Sequence, residues 1–240
     1  MRLIGVGVGP GDPELLTIKA AGVLASADRV FVPVLDPADT GRAEATVAAY
    51  APADRIERLV FALDRAERDR YWAAAGDRVV EWLRGNRGTA AFATIGDPNI
   101  YSTFGYLAQA VREALPDLAV ETVPGITAMQ ALASASGTVL TEGHEPLVLL
   151  PLLNDGPSDD GPSLDKALDE ALATGATVVV YKGGRHLAEI AAAVDRAGRP
   201  AVFGAHLGLP GESVVPLSTV DGPAPYLSTV LVPAKRGGPS

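Results

Sequence analysis

Three glycine-bearing turns hold the residues whose types and spacing suit chemistry. The first, Gly5-Val6-Gly7-Val8-Gly9-Pro10-Gly11-Asp12, follows an apolar stretch. A dinucleotide fingerprint needs glycines at relative positions one, three and six. Counted from Gly5 the sixth position is Pro10, and counted from Gly7 it is Asp12. Both registers fail. Pro10 removes an amide from any phosphate cradle, and Asp12 sets negative charge where a helix would begin, so phosphate is disfavoured. The glycines either let backbone approach a bulky ligand or form a tight turn alone. The second turn, Thr94-Ile95-Gly96-Asp97-Pro98-Asn99-Ile100-Tyr101-Ser102, lies at the carboxyl end of a predicted strand, where open α/β sheets place ligands. Asp97 suits an amine or hydroxyls of a cationic cosubstrate, or else makes an ordinary turn bond to backbone. In the third, Val123-Pro124-Gly125-Ile126-Thr127-Ala128, Thr127 and Ala128 offer the amides of a first helical turn to a carboxylate.

Composition removes several other chemistries. The 240 residues contain no cysteine, which excludes disulfides, thiolate zinc sites, iron–sulfur clusters and a cysteine nucleophile. His144, His186 and His206 lack ligand spacing, so no metal is expected. A net charge of −9 argues against nucleic-acid backbone as a partner, though a few clustered cations would still attract a small anion. No apolar run reaches membrane-spanning length, and the chain opens on a strand rather than a signal-peptide pattern. A cytoplasmic protein without a membrane partner is expected.

The elements that must position these turns alternate between short apolar runs and helical patterns, which predicts an α/β fold with largely parallel sheets. Strands are expected at 2–8, 29–34, 89–95, 118–122, 147–150, 176–181, 201–204 and 228–232. Asp12 and Pro13 read as N-cap and first residue of a helix whose apolar face begins with Leu15, Leu16 and Ile18. Phe104, Leu107, Ala108, Val111 and Leu115 form one buried helical stripe; Ile190, Val194 and Ala197 form another, ending at Gly198. A helix is expected over 129–136. The chain divides into residues 1–122 and 123–240, with loop composition at 154–163 (NDGPSDDGPS) and a disordered tail at 233–240. The 154–163 segment reads as a lid or as a plain surface connection.

Four segments occur in order: GVGPGDPELLTIKA (7–20), GDPNIYSTFGYL (96–107), VPGITA (123–128) and YKGGRHL (181–187). With these, the chain resembles the tetrapyrrole methylases, and within them the precorrin-2 or cobalt-factor II C20-methyltransferases, from residue 3 to the PYLSTVLV segment at 225–232. The resemblance implies two α/β domains, a cleft between them for folded S-adenosyl-L-methionine, S-adenosyl-L-homocysteine as product, no metal, a tetrapyrrole substrate and a homodimer. Carried over by motif, Pro10 flanks the cosubstrate, and Ile95, Gly96, Asp97 and Ile100 form its main wall. Tyr101 and Ser102 continue that wall, Thr127 and Ala128 add backbone contacts, and Tyr181 and Lys182 close over the adenosine end.

Such a substrate is a polycarboxylate, so an acidic protein needs local positive charge. Lys182, Arg185 and His186 form the best cluster, with Arg185 suited to bidentate carboxylate binding or, alternatively, to a helix cap or surface ion pair. The methyl donor is already activated, so alignment and water exclusion suffice and no catalytic residue is assigned. Tyr101 is a proton acceptor by position only, or an aromatic wall. His144, where C20 enzymes commonly carry an acid, and Ala205-His206, in place of a Glu-Arg pair, depart from the family pattern. Methylation at another ring position, a dehydrogenase-like nucleotide module and a silent binding protein are the competing readings.

Overall fold

The computed structural model describes residues 1–62, 65–152, 164–222, 224–225 and 227–236. The 154–163 segment and the end of the tail, 237–240, lie outside the described residues. The chain forms two compact units, Met1–Thr127 and Ala128–Ser240. The last strand of the first unit pairs with its neighbour through Val123.

The first unit contains β1 (Arg2–Gly7), α1 (Ile18–Ser26), β2 (Arg29–Val34), α2 (Arg42–Val47), β3 (Ile56–Val60), α3 (Arg65–Asn86), β4 (Thr89–Thr94), α4 (Phe104–Ala114) and β5 (Ala119–Val123). Its sheet runs β3-β2-β4-β1-β5, with every pairing parallel. A parallel sheet must be covered on both faces, which is why β1 and β4 read as unbroken apolar runs. Alternate residues feed two cores. Leu3, Phe31 and Phe92 join Val79, Leu83, Leu107 and Val111 on one face, while Ile4, Val6, Val30 and Val32 join Leu24 and Val47 on the other. Gly5 leaves the space that the Phe104 ring occupies, since a Cβ there would lie 2.5 Å from Phe104 Cε1.

The second unit contains α5 (Ala128–Ser136), β6 (Leu147–Pro151), α6 (Leu164–Ala173), β7 (Thr177–Tyr181), α7 (Leu187–Arg196), β8 (Val202–Ala205), β9 (Ser213–Pro216) and β10 (Ser228–Val232). Its sheet, β6-β7-β10-β8-β9, is parallel at β6–β7 and antiparallel elsewhere. The two sheets together are thus mixed and largely parallel, with the antiparallel pairings confined to the second.

One expected helix starts elsewhere. Asp12 does accept from Glu14 N at 2.8 Å, but it opens only a single 3-10 turn, Pro13–Leu15. Leu16 is extended, and Thr17 caps the true helix by accepting from Ala20 N at 3.1 Å. That start turns Ala20 and Leu24 to the sheet and leaves Ile18, expected in the core, 94% exposed. The stripe on α4 is buried as expected from Phe104 to Val111, and α7 ends at Gly198 with φ 60°.

Two charged residues tie elements together. Arg199 is buried and donates to the carbonyls of Leu172 (3.1 Å), Ala176 (2.5 Å) and Pro233, joining the end of α6 to the start of β7 and the end of β10. Burial holds its pKa below the usual arginine value. Arg199→Met should cost about 3 kcal/mol in urea unfolding, because three carbonyls lose their donor. In the first unit Arg58 donates to both Glu44 oxygens, at 2.7 and 2.8 Å, and holds that carboxyl below its ordinary value. A depressed carboxylate stabilises above its unfolded pKa and loses that contribution as pH falls through the folded one. Glu44→Gln should therefore lower Tm at neutral pH and flatten its decline on the acid side.

Candidate active site

Strands β4, β1 and β5 are adjacent and parallel, so the turns that leave their carboxyl ends emerge side by side. The first two are joined by backbone. Val8 N donates to Thr94 O at 2.9 Å and Gly96 N to Gly9 O at 2.8 Å, with Gly9 and Gly96 both left-handed at φ 74° and 73°. The third turn packs onto both. A Cβ on Gly7 would lie 2.6 Å from Gly125 N and from Gly96 O, and one on Gly125 would overlap Gly96 O and Gly7. Glycine is needed at 7 and 125 for turn-on-turn contact, independently of any ligand.

Asp97 completes the junction. Its Oδ1 accepts from Asn99 N at 2.8 Å and its Oδ2 from Gly125 N at 3.0 Å, while Asn99 Nδ2 reaches Thr122 Oγ1 at 3.4 Å. The carboxylate thus serves backbone on two turns and keeps further acceptor capacity on each oxygen. Next to it Tyr101 is left-handed at φ 49°, unusual for a bulky residue, and 39% exposed. Ser102 anchors that strained segment, its Oγ donating to Thr94 Oγ1 and accepting from Phe104 N, both at 3.1 Å. Ile95 and Ile100 are half-exposed and Pro10 is buried in the first turn. Thr127 is buried, its Cα 4.0 Å from a Cβ placed on Gly96. The structure thereby brings Pro10, Ile95, Gly96, Asp97, Ile100, Tyr101, Ser102 and Thr127 to one edge of one sheet.

In the second unit, Ala128 heads α5 and Tyr181 ends β7, and the Tyr181 hydroxyl accepts from Met129 N at 3.2 Å. No sequence signal announces that bond, which gives Tyr181 a positioning role at the start of α5. Lys182 is left-handed at φ 61°, with its amide on Ser228 O at 3.1 Å. The following turn passes so close to the Ala224 and Pro225 carbonyls that Gly184 has no room for a side chain. Arg185 is exposed and neither caps a helix nor pairs with an acid among the described residues. His186 Nδ1 lies 3.6 Å from Glu189 Oε1, an ion pair when protonated. His144 is exposed, and His206, left-handed at φ 52°, accepts from Leu209 N at 2.8 Å. Among the described residues no three His, Cys, Asp or Glu side chains gather as metal ligands, and no helix is long and apolar enough to cross a membrane. A cavity of about 500 Å³ beside the carboxyl ends of β2 and β3 is walled by Leu35, Val60 and Tyr71 and carries Asp36 and Glu67.

A sequence profile for Tetrapyrrole (Corrin/Porphyrin) Methylases matches residues 2–221. The chain belongs to that family. Among its relatives is a precorrin-2 C(20)-methyltransferase from Sinorhizobium sp., 32% identical over 99% of this chain and 97% of the relative. Another is a probable cobalt-precorrin-2 C(20)-methyltransferase from Methanocaldococcus jannaschii, 37% identical over 70% of this chain and 68% of its own length. The fold is shared with a cobalamin-synthesis-related protein from Corynebacterium diphtheriae (TM-score 0.73, 19% identity, 97% of this chain and 98% of that one). It is shared too with a uroporphyrin-III C-methyltransferase from Thermus thermophilus complexed with S-adenyl homocysteine (TM-score 0.67, 24% identity, 96% and 97%).

The methylase turns depend on one another through Asp97. Asp97→Ala removes the acceptor of the Gly125 amide and should cost about 1 kcal/mol while speeding hydrogen exchange at Gly125 N. Unchanged exchange there would show that the bond does not hold the third turn. Gly7→Ala should disrupt the junction altogether, read as a fall in Tm.

Proposed function

We propose that this protein transfers a methyl group from S-adenosyl-L-methionine to C20 of precorrin-2 or cobalt-factor II in cobalamin biosynthesis. The observation that carries the reading is the near end-to-end match to a relative named for that reaction. The junction of the three turns supports it. Half-exposed Ile95 and Ile100 beside a carboxylate with spare acceptor capacity fit a ligand with an apolar ring and polar, cationic ends.

On this reading Pro10, Ile95, Gly96, Asp97 and Ile100 line the cosubstrate, with Tyr101 and Ser102 extending that wall. Thr127 and Ala128 contribute backbone, and Tyr181 and Lys182 hold the adenosine end. Bound S-adenosyl-L-methionine supplies a methyl group already activated on sulfonium, and S-adenosyl-L-homocysteine leaves. The electron-rich meso carbon takes that methyl in line and the ring gives up a proton to solvent or a nearby base. The chain's own work is alignment and exclusion of water, for which rigid turns are suited. Arg185 and His186 take substrate carboxylates. The protein needs no metal of its own and acts in the cytoplasm as a homodimer.

Anaerobic incubation with S-adenosyl-L-methionine and each macrocycle should add one methyl, at C20 by NMR of the product. Methylation elsewhere on the ring would keep the family and overturn the position. Arg185→Ala should raise the KM for the macrocycle roughly tenfold and leave cosubstrate affinity unchanged. Equal values for both ligands would remove Arg185 from the substrate site.

A further inference from the structure

The half-buried arginines of the first unit form a set with one exception. Arg29 and Arg78 pair with Glu57, Arg58 with Glu44, Arg55 donates to Ala25 O, and Arg68 lies over the Trp72 ring. Arg42 is half-buried as well, yet among the described residues no acid or carbonyl receives its guanidinium. Burial pushes its pKa down and nothing opposes that push. The unpartnered guanidinium nitrogens keep access to water, so the charge stays free to take an acceptor that arrives with something else. Its position in the first turn of α2 brings no compensation, since helices favour acids there.

The surroundings say where that acceptor would come from. Helix α2 begins hard against the carboxyl end of β2, because a Cβ on Gly41 would lie 2.8 Å from Pro33 O. Thr46 lies one turn beyond Arg42, and residues four apart share a helix face. The buried Thr46 hydroxyl donates to Gly11 O at 3.0 Å, and Tyr50 OH to Pro13 O at 2.7 Å. The face of α2 that carries Arg42 is therefore the face bonded to the first glycine turn, at the same sheet edge as Gly96 and Asp97. The cavity beside β2 and β3 has the opposite sign at its charged groups, Asp36 and Glu67.

We infer that Arg42 is a ligand-binding residue that receives a carboxylate, and that the carboxylate is a peripheral one of the tetrapyrrole. The source rests on the methyltransferase reading; the unpaired guanidinium does not. A planar guanidinium takes a carboxylate in two parallel hydrogen bonds, which would fix the macrocycle's edge relative to the turn that holds the methyl donor. The methionyl carboxylate of the cosubstrate offers the same chemistry, and the test separates the two.

Arg42→Met and Arg42→Lys are compared with wild type in three measurements: Tm of the ligand-free protein, calorimetric affinity for S-adenosyl-L-methionine, and KM for precorrin-2. Arg42→Met should leave Tm unchanged or higher, keep cosubstrate affinity within about twofold, and raise the macrocycle KM roughly ten- to hundredfold, with Arg42→Lys between. A loss confined to cosubstrate affinity would keep the carboxylate and overturn its source. Unchanged affinity for both ligands, or a fall in Tm of several degrees, would overturn the inference, the latter by revealing a structural partner. Wild type that binds the cosubstrate but methylates no tetrapyrrole would sink the functional reading instead, and Arg42 would then stand or fall on Tm and cosubstrate affinity.

Discussion

The candidate site depends on backbone meeting backbone where β4, β1 and β5 end. Side chains at Gly7 and Gly125 are excluded by that contact, and the left-handed turns at Gly9 and Gly96 give the chain the angle to make it. Parallel pairing in level register, Gly7 opposite Thr94 and Val6 opposite Val123, delivers the three turns to the same height. Asp97 then fastens the second turn to the third. A site assembled this way is stiff, as suits a reaction in which the donor is already activated and geometry is the protein's main contribution.

Charge is arranged to a similar end. The chain carries a net charge of −9, yet several acids of the first unit are committed: Glu44 to Arg58, Glu57 to Arg29 and Arg78, Asp97 to backbone. Among the described residues Arg42, at the start of α2, and Arg185, in the turn before α7, pair with no acid. Such cations offer an acidic protein local positive charge, which a carboxylate-rich substrate requires.

Much of this was legible in residue order. The strands at 29–34 and 228–232 are legible to the residue, since an apolar run with β-branched residues has few alternatives. The α4 stripe followed from spacing alone. Residues 42–86 are not legible in the same way: α3 spreads charged residues over its 22 positions and β3 carries Glu57 and Arg58, so neither shows a clean period. The start of the first helix is ambiguous in sequence because two caps compete within six residues, and packing of Ala20 and Leu24 against the sheet favours Thr17 over Asp12.

Sequence by itself determined the α/β class, the turns that matter and the family, because strand periods, glycine placement and ordered motifs are local properties. Tertiary structure decided what the residues in those turns do. It gave Gly7 and Gly125 to turn contact, Asp97 to backbone on two turns and the Tyr181 hydroxyl to the start of α5. It also set Arg42, half-buried at the start of α2, apart from every acid among the described residues. Those assignments rest on contacts between residues tens of positions apart, and the strand order that creates them is not written in any single stretch of chain.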